Sequence, residues 1–381
     1  MRLKRMQEEH PAFFPVLLSV ILLIGLLLLP TGYEGARTYQ GADRVKARVL
    51  ETDETDVKDA GLIRTGEQRC QVLLLGGKFK GETVTAVNRL NGSLAQDKMF
   101  SVGDTVFVAV SHRDQQITAV TMTDHYRLTM EAVLAGMFLL FLLIFAGKTG
   151  VRAILSFIVT ILMMWKILVP GLLKGWNPVW VSLGLVAVLT FLIISLIYGL
   201  DRRCAAAVSG ALLGILVTVI LGSCFTDLFK IHGAVMQSSE SLLYAGFEYL
   251  DLTRIFVASI FLGSSGAVMD LAVDICSAVY EVVCKKPDIS TREAIASGFS
   301  VGRAACGSTT TTLLLAYSGS YIAQLMVFMA QGTPVSFILN YKFVAAEIIH
   351  TIVGSFGLVT VAPLTAITSG ILFTKHTNRK H

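Results

Sequence analysis

Charged side chains are scarce in this 381-residue chain, and apolar ones dominate it. Asp, Glu, Lys and Arg together supply 15% of the sequence, against about a quarter in soluble globular domains. Hydrophobic residues make up 54%. This balance excludes a soluble or disordered chain, and it predicts an α-helical polytopic membrane protein.

The chain also lacks the cysteine patterns of a disulfide scaffold or a metal site. It has 6 cysteines but no CxxC pair and no metal-ligand spacing, so we predict neither a metal nor a cofactor. Cys70 precedes the β-prone run 71–75, where a half-buried strand thiol is expected. The others lie in or beside apolar stretches: Cys204, Cys224, Cys276, Cys284 and Cys306.

Eight apolar stretches predict transmembrane helices, because about 20 apolar residues are needed to cross about 30 Å of hydrocarbon. The first, second and seventh stretches are short, so counts of seven and nine also stay open. The eight stretches are residues 13–29, 130–146, 153–169, 179–199, 204–224, 255–283, 304–317 and 343–373.

Lys and Arg are distributed unevenly among the segments that join these stretches. Because such residues concentrate on the cytoplasmic side, the pattern predicts that both termini are cytoplasmic and that residues 31–129 lie outside the cell membrane. The net charge of +5 therefore needs no nucleic-acid partner, and the lipid bilayer is the expected surrounding. The predicted cytoplasmic segments hold Arg2, Lys4, Arg5, Lys148, Arg152, Arg202, Arg203, Lys285, Lys286, Arg292, Arg303, Lys375, Arg379 and Lys380, and the short outer loops hold Lys174, Lys230 and Lys342.

The predicted topology divides the chain into three parts. Residues 1–30 are a cytoplasmic tail and an anchor helix, which we expect to be retained because no small-residue cleavage site follows it. Residues 31–129 form an extracytoplasmic β domain. Residues 130–381 form the multi-span membrane domain, with an amphipathic cytoplasmic connector at about 287–303.

Short β-prone runs separated by Gly, Asp and Asn fill the extracytoplasmic segment, and they predict a small all-β, OB-like barrel inserted after the first helix. The glycine-rich residues 76–81 are interpreted as a hairpin turn, because they lack the spacing and the following helix of a phosphate-binding loop. The predicted strands are residues 44–50, 70–75, 82–88, 105–111 and 117–121.

Carboxylates interrupt the sixth apolar stretch. Asp270, Asp274, Ser277 and Glu281 fall on one stripe of a helix, and charged groups in hydrocarbon normally face a protein interior or a wet cavity. We therefore treat Asp270 and Asp274 as candidates for binding H⁺ or Na⁺, since two close carboxylates tend to share a proton. The alternatives are hydrogen bonding between helices for the two aspartates and a surface role for Glu281.

Polar residues also follow the predicted connector. Ser290 or Thr291 is expected to begin a helix capped by Glu293. Arg303 enters the seventh stretch, and Thr309 and Thr310 belong to a hydroxyl-rich run that faces the acidic stripe or bonds its own helix carbonyls.

The eighth stretch carries Glu347 and His350, which share a helix face at i and i+3. A carboxylate beside an imidazole can relay a proton. Alternatively, both lie near the outer boundary and are hydrated there.

Four glycines are candidates for helix packing. Gly210 and Gly214 share a helix face and allow the close approach of another helix. Gly263 and Gly266, with two serines between them, stand just before the acidic stripe and admit either a close helix contact, a bend or water.

The chain resembles the YibE/F family of multi-pass membrane proteins, and its anchor, β domain and spans are similar to the longer, YibE-like members. The runs that carry the resemblance are residues 266–281, 297–303, 312–317 and 363–366. The family has an acidic residue after the Gly-Arg pair, where this chain has Ala304. Any ionic role of that acid is therefore expected to belong to a partner subunit.

Residues 263–371 more distantly resemble one membrane half of the SecD/SecF group of RND transporters. That resemblance implies proton-driven movement, with Asp270 and then Arg303 as the first candidates. It also implies a homodimer or a complex with a YibF-like membrane subunit.

Two functions remain open from the sequence. One is an ion-coupled (H⁺ or Na⁺) transporter subunit of unknown substrate. The other is a non-transporting assembly or envelope scaffold that acts through its extracytoplasmic domain. We do not expect an enzyme, because the sequence shows no nucleophile–base pair, metal cluster or phosphate loop.

Overall fold

The computed structural model describes residues 2–33, 41–113, 116–319 and 321–374. These residues form two compact units. The first unit combines residues up to 31 with those from 146 onwards, and the second spans residues 32–145.

The second unit contains a closed β barrel. Neighbouring strands follow the order β1-β5-β6-β4-β3, and β3 returns to pair with β1. The β4–β6 pair is parallel, and the other four pairs of the barrel are antiparallel. The strands are β1 (Ala42–Asp53), β2 (Val57–Asp59), β3 (Arg64–Leu74), β4 (Thr83–Asn91), β5 (Thr105–Arg113) and β6 (Gln116–His125).

The predicted five-stranded barrel is therefore confirmed, and β2 is a short addition paired with β3. The alternation of buried and exposed residues along the strands explains the fold, because a strand presents every second side chain to the interior. Residues 76–81 lie in the hairpin between β3 and β4, where Gly77 has a φ of +74°. Cys70 is fully buried on β3, and burial raises the pKa of its thiol to about 11.

Eleven helices are assigned in the described part of the chain. They are α1 (Arg2–Leu28), α2 (Leu128–Met163), α3 (Val169–Leu173), α4 (Pro178–Tyr198), α5 (Arg202–Leu228), α6 (Ser239–Tyr244), α7 (Leu252–Lys285), α8 (Thr291–Gly319), α9 (Ile322–Ala330), α10 (Val335–Asn340) and α11 (Lys342–Thr374). Among the described residues, five helical stretches are long and apolar enough to cross a membrane, or six if α8 and α9 form one bent span. The apolar part of α1, Phe13–Leu28, is shorter.

Four predicted spans agree with α4, α5, α7 and α11 within four residues at each end. The second and third predicted spans, by contrast, follow each other without a loop. Residues Leu128–Leu173 are helical almost throughout, with a break at Gly147 (φ 53°, ψ −126°) and a π-helical turn at Met164–Leu168. The polar residues around 148–152 that suggested a loop are part of the helix.

The predicted connector at 287–303 is not separate from the seventh span, because α8 runs continuously from Thr291 to Gly319. The glycines of α8 do not break the helix, and they allow it to pack closely against α11. A Cβ atom at Gly298 would lie 2.7 Å from the Cβ of Ala366 in α11. The start of α8 is capped as expected, since the Ser290 hydroxyl and the Glu293 carboxylate each accept a hydrogen bond from the other's backbone N–H, at 3.2 and 3.1 Å.

Helices α5, α7, α8 and α11 form the core of the first unit. Gly354 and Gly357 of α11 lie beside Ser264 and Val268 of α7, so α7 and α11 run in the same direction. Helices α5 and α8 run against α11. The alternating directions agree with the order of spans that the sequence predicts.

Candidate functional site

The acidic stripe of α7 lies on an uncovered face of the chain. Asp270 and Asp274 are both exposed, as are Gly266, Ser277 and Glu281 along the same stripe. At 1.5 Å per residue, Asp270 is about 27 Å from the first residue of α7 and about 22 Å from the last. Within the described part of this single chain, the two aspartates therefore lie on an open face and not in an interior.

No other described residue pairs with these carboxylates. Salt bridges within 4.0 Å in the described ranges include neither Asp270 nor Asp274, and Arg303, exposed on α8, is likewise absent from them. The sequence correctly placed the two acids on one face of one helix. It could not show that neighbouring helices leave this face open.

The ends of the stripe have structural partners. The Ser277 hydroxyl lies 2.5 Å from that of Tyr198 in α4, and the Tyr198 O–H donates to the carbonyl of Val273 at 2.7 Å. Glu281 pairs with Lys285 one helical turn on, at 2.5 Å. Glu281 therefore has the surface role that was the alternative to ion binding.

The threonines of α8 bond their own helix. The Oγ1 atom of Thr309 donates to the carbonyl of Ala305 at 2.9 Å, and that of Thr310 donates to the carbonyl of Cys306 at 2.8 Å. This is the second of the two arrangements considered from the sequence.

Glu347 and His350 form part of a half-buried polar cluster. His350 Nδ1 lies 3.7 Å from Glu347 Oε2, and on the other side of the ring Nε2 lies 2.9 Å from the hydroxyl of Ser259 in α7. The side chains of Glu347 and His350 are 16% and 19% exposed. Of the titratable residues predicted for the site, these two are the ones enclosed by the chain.

Aromatic rings enclose the imidazole. The His350 ring lies nearly parallel to the ring of Phe256 in α7, with centroids 4.9 Å apart, and to that of Tyr317 in α8, at 5.6 Å. The Tyr317 hydroxyl lies over Gly263, where a Cβ would collide with it. Gly263 thus makes room for the ring that covers His350, whereas Gly266 has open space beside it.

A cleft with a volume of about 240 Å³ adjoins Glu347. It is lined by residues of α8, α9 and α11 and by Tyr321 just before α9. Its walls are mainly apolar, and Glu347 is the charged residue in its lining. Lining residues include Leu314, Tyr321, Leu325, Ile348 and Ile352.

Sequence reasoning missed Ser259 and Tyr317. The contacts that bring them to His350 join residues 91 and 33 positions apart, so local spacing carries no sign of them. The available signal was weak: Ser259 is a single hydroxyl within the apolar beginning of α7. No group of three or more His, Cys, Asp and Glu side chains suited to a metal ion is found among the described residues.

Gly210 and Gly214 are close to α11. A Cβ at Gly210 would lie 2.8 Å from the Cα of Thr365, and one at Gly214 would lie 2.9 Å from the Cβ of Val361. The absence of side chains at these positions brings α5 against the helix that carries Glu347 and His350.

Long apolar helices and an inserted five-stranded barrel define a multi-pass membrane protein with a separate β domain. Two family models match it: YibE/F-like protein over residues 134–375 and YibE/F family N-terminal domain over residues 39–125. The chain therefore belongs to the YibE/F-like family, as its motifs indicated. Neither match concerns the SecD/SecF group, and no curated protein or solved structure matches the chain.

Proposed function

We propose that this protein is a subunit of an ion-coupled membrane transporter and that H⁺ is the coupling ion. The observation that carries the proposal is the half-buried cluster of Glu347, His350 and Ser259, which joins α11 to α7. Imidazole is the side chain whose ordinary titration lies near neutral pH, and chains of His, Asp and Glu within membrane helices are typical of proton relays.

The acidic face of α7 supplies a second position for protons. Asp270 is 11 residues beyond Ser259, or about 16 Å along the helix at 1.5 Å per residue. A charge exposed to hydrocarbon costs about 2.5 kcal/mol or more, which favours protonated aspartates or a covering chain. We propose that a second membrane chain, either another copy or a YibF-like subunit, covers this face.

The proposed orientation follows the distribution of basic residues. Arg202 and Arg203 lie together at the start of α5, just after the end of α4, and Arg203 stacks on Tyr198 and Tyr280. We assign this end of the bundle to the cytoplasm, together with both termini of the chain. The β barrel is then outside the cell membrane.

Nucleophilic catalysis is a second function that the same residues suggest, but their surroundings fit it less well. Ser259, His350 and Glu347 have the order of a nucleophile, a base and a carboxylate. However, Ser259 lies inside α7, where backbone N–H groups bond to carbonyls of the same helix. That backbone offers no oxyanion-binding donors, so the residues fit a proton relay better than an acyl-transfer site.

Proton binding can be measured by reconstituting the full chain in liposomes on a solid-supported membrane and applying pH steps. We expect a transient current in the wild-type protein because protons bind to the proposed relay. His350→Gln and Glu347→Gln are expected to remove most of this current, and Asp270→Asn with Asp274→Asn to reduce it. Glu281→Gln is the matched control, since Glu281 is paired with Lys285 at the surface.

Equal currents from the wild type and the His350→Gln variant would contradict the relay. Currents elicited by Na⁺ steps but not by pH steps would contradict H⁺ as the coupling ion.

The alternative, a scaffold that acts through the barrel, is favoured by one specific observation. Leu62 and Leu94 are 84% and 76% exposed, and both line a cleft of about 280 Å³ on the barrel. Exposed apolar side chains around a cleft are typical of surfaces that bind partners. In that case the barrel on an unrelated membrane anchor would retain the cellular function, which the transporter proposal does not permit.

A further inference from the structure

The cleft beside Glu347 has the chemistry of a site for a small organic cation. Its exposed lining is almost wholly apolar, yet a carboxylate belongs to it. Its volume of about 240 Å³ is below the range of about 300 to 1,000 Å³ for pockets that hold drug-sized ligands. The dimensions therefore fit a compact ligand.

The two oxygens of Glu347 differ in their surroundings. Oε2 faces His350 at 3.7 Å. Oε1 is buried and accepts no hydrogen bond from any residue in the described part of the chain. A buried carboxylate oxygen without a donor is costly, so an N–H or O–H group that reaches it gains a strong, charge-assisted hydrogen bond.

We propose that this cleft binds a protonated amine with a small apolar body, whose ammonium group donates to Glu347 Oε1. The apolar body contacts Leu314, Leu325 and Ile352, and Tyr321 offers an aromatic face to the cation. This inference rests on the proposed function, because it names the class of substrate that the transporter moves.

The same geometry makes binding of the amine depend on whether Glu347 carries a proton. A proton on Glu347 removes the charge that holds the ammonium group, so the two cations compete for one carboxylate. The groups that face Glu347 are His350 on its own helix, Tyr317 of α8 and Tyr321 at the start of α9. In a transporter whose site opens to each side in turn, competition of this kind gives exchange of an amine for H⁺ across the membrane.

Phenethylamine is a suitable probe, and 2-phenylethanol is its uncharged control. Binding to the purified full-length protein in detergent is measured by isothermal titration calorimetry at two pH values. We expect saturable binding of the amine that weakens as the pH falls. The alcohol should bind more weakly by on the order of ten- to a hundredfold, because it cannot supply a charge-assisted bond.

Glu347→Gln should weaken amine binding by a similar factor, whereas Glu281→Gln should leave it unchanged. Equal binding of amine and alcohol to the wild type would overturn the proposal and identify the cleft as an apolar groove for lipid chains. Absence of saturable amine binding would also overturn it. Because no ion gradient is applied, either failure leaves the proton currents of the proposed function intact, and loss of those currents leaves amine binding intact.

Discussion

Gln68 is a polar side chain at the centre of the β barrel. It is fully buried on β3, and its amide group reaches the loop before β5. Nε2 donates to the carbonyl of Phe100 at 2.8 Å, and Oε1 accepts from the Phe100 N–H at 3.1 Å and from Asn88 at 3.1 Å. One side chain thus satisfies both backbone groups of a buried residue.

Gln68→Leu is expected to destabilise the barrel by about 1 to 3 kcal/mol, because it leaves buried groups of Phe100 without partners. Gln71→Leu is the matched control, since Gln71 bonds Thr85 at the surface of the same strand. Amide hydrogen exchange of β3 and β4 in the full-length protein provides the measurement. Equal protection in the two variants would show that the Gln68 bonds contribute little.

Helix packing around glycine decides how α5 meets α11. A Cβ at Gly214 would lie 2.9 Å from the Cβ of Val361 and 3.3 Å from the carbonyl of Gly357. Gly214→Ala is therefore expected to push the helices apart and to destabilise the first unit by about 1 to 3 kcal/mol, the usual cost of overpacking. Thermal unfolding in detergent measures the effect.

Gly184→Ala in α4 is the control for that change. Gly184 is exposed, and nothing lies within 4 Å of the added Cβ. Alanine there should be neutral or stabilising by up to about 1 kcal/mol, because it favours the helix. A loss of stability as large as that of Gly214→Ala would mean that both effects come from the helix backbone and not from packing.

The elements differed in how far the sequence could predict them. Long apolar runs and alternating strand residues report directly on burial, so α4, α5, α7, α11 and the barrel were predictable. The continuity of α8 was not predictable, because a glycine-rich run occurs both in closely packed helices and in loops. The contact of Ser259 with His350 depends on how α7 and α11 align, which no local pattern encodes.

At the scale of the whole molecule, the uncovered face of α7 and α8 is the feature to test. Gly266 and Gly307 both have open space around them, so cysteines there should not disturb the fold. In a background without the exposed Cys224 and Cys284, we expect Gly266→Cys and Gly307→Cys to cross-link to a second chain in membranes. Ile220→Cys, exposed on α5, should not cross-link.

Mass spectrometry of the cross-linked product identifies the partner. A product of twice the mass of the chain indicates a second copy, and a product with another membrane protein indicates a mixed complex. Cross-linking equal to that of Ile220→Cys would show that this face meets lipid alone, and the aspartates would then have to be protonated.

The imidazole of His350 touches three helices at once: its own, α7 through Ser259 and Phe256, and α8 through Tyr317. Any rearrangement that one helix makes against the other two changes the surroundings of that single ring. Thermodynamic linkage is reciprocal, so under the proposed relay an event that shifts these helices would alter proton binding by the same factor by which proton binding alters that event. A ligand or partner that binds elsewhere on the bundle is then expected to change the pH dependence of the proposed proton currents.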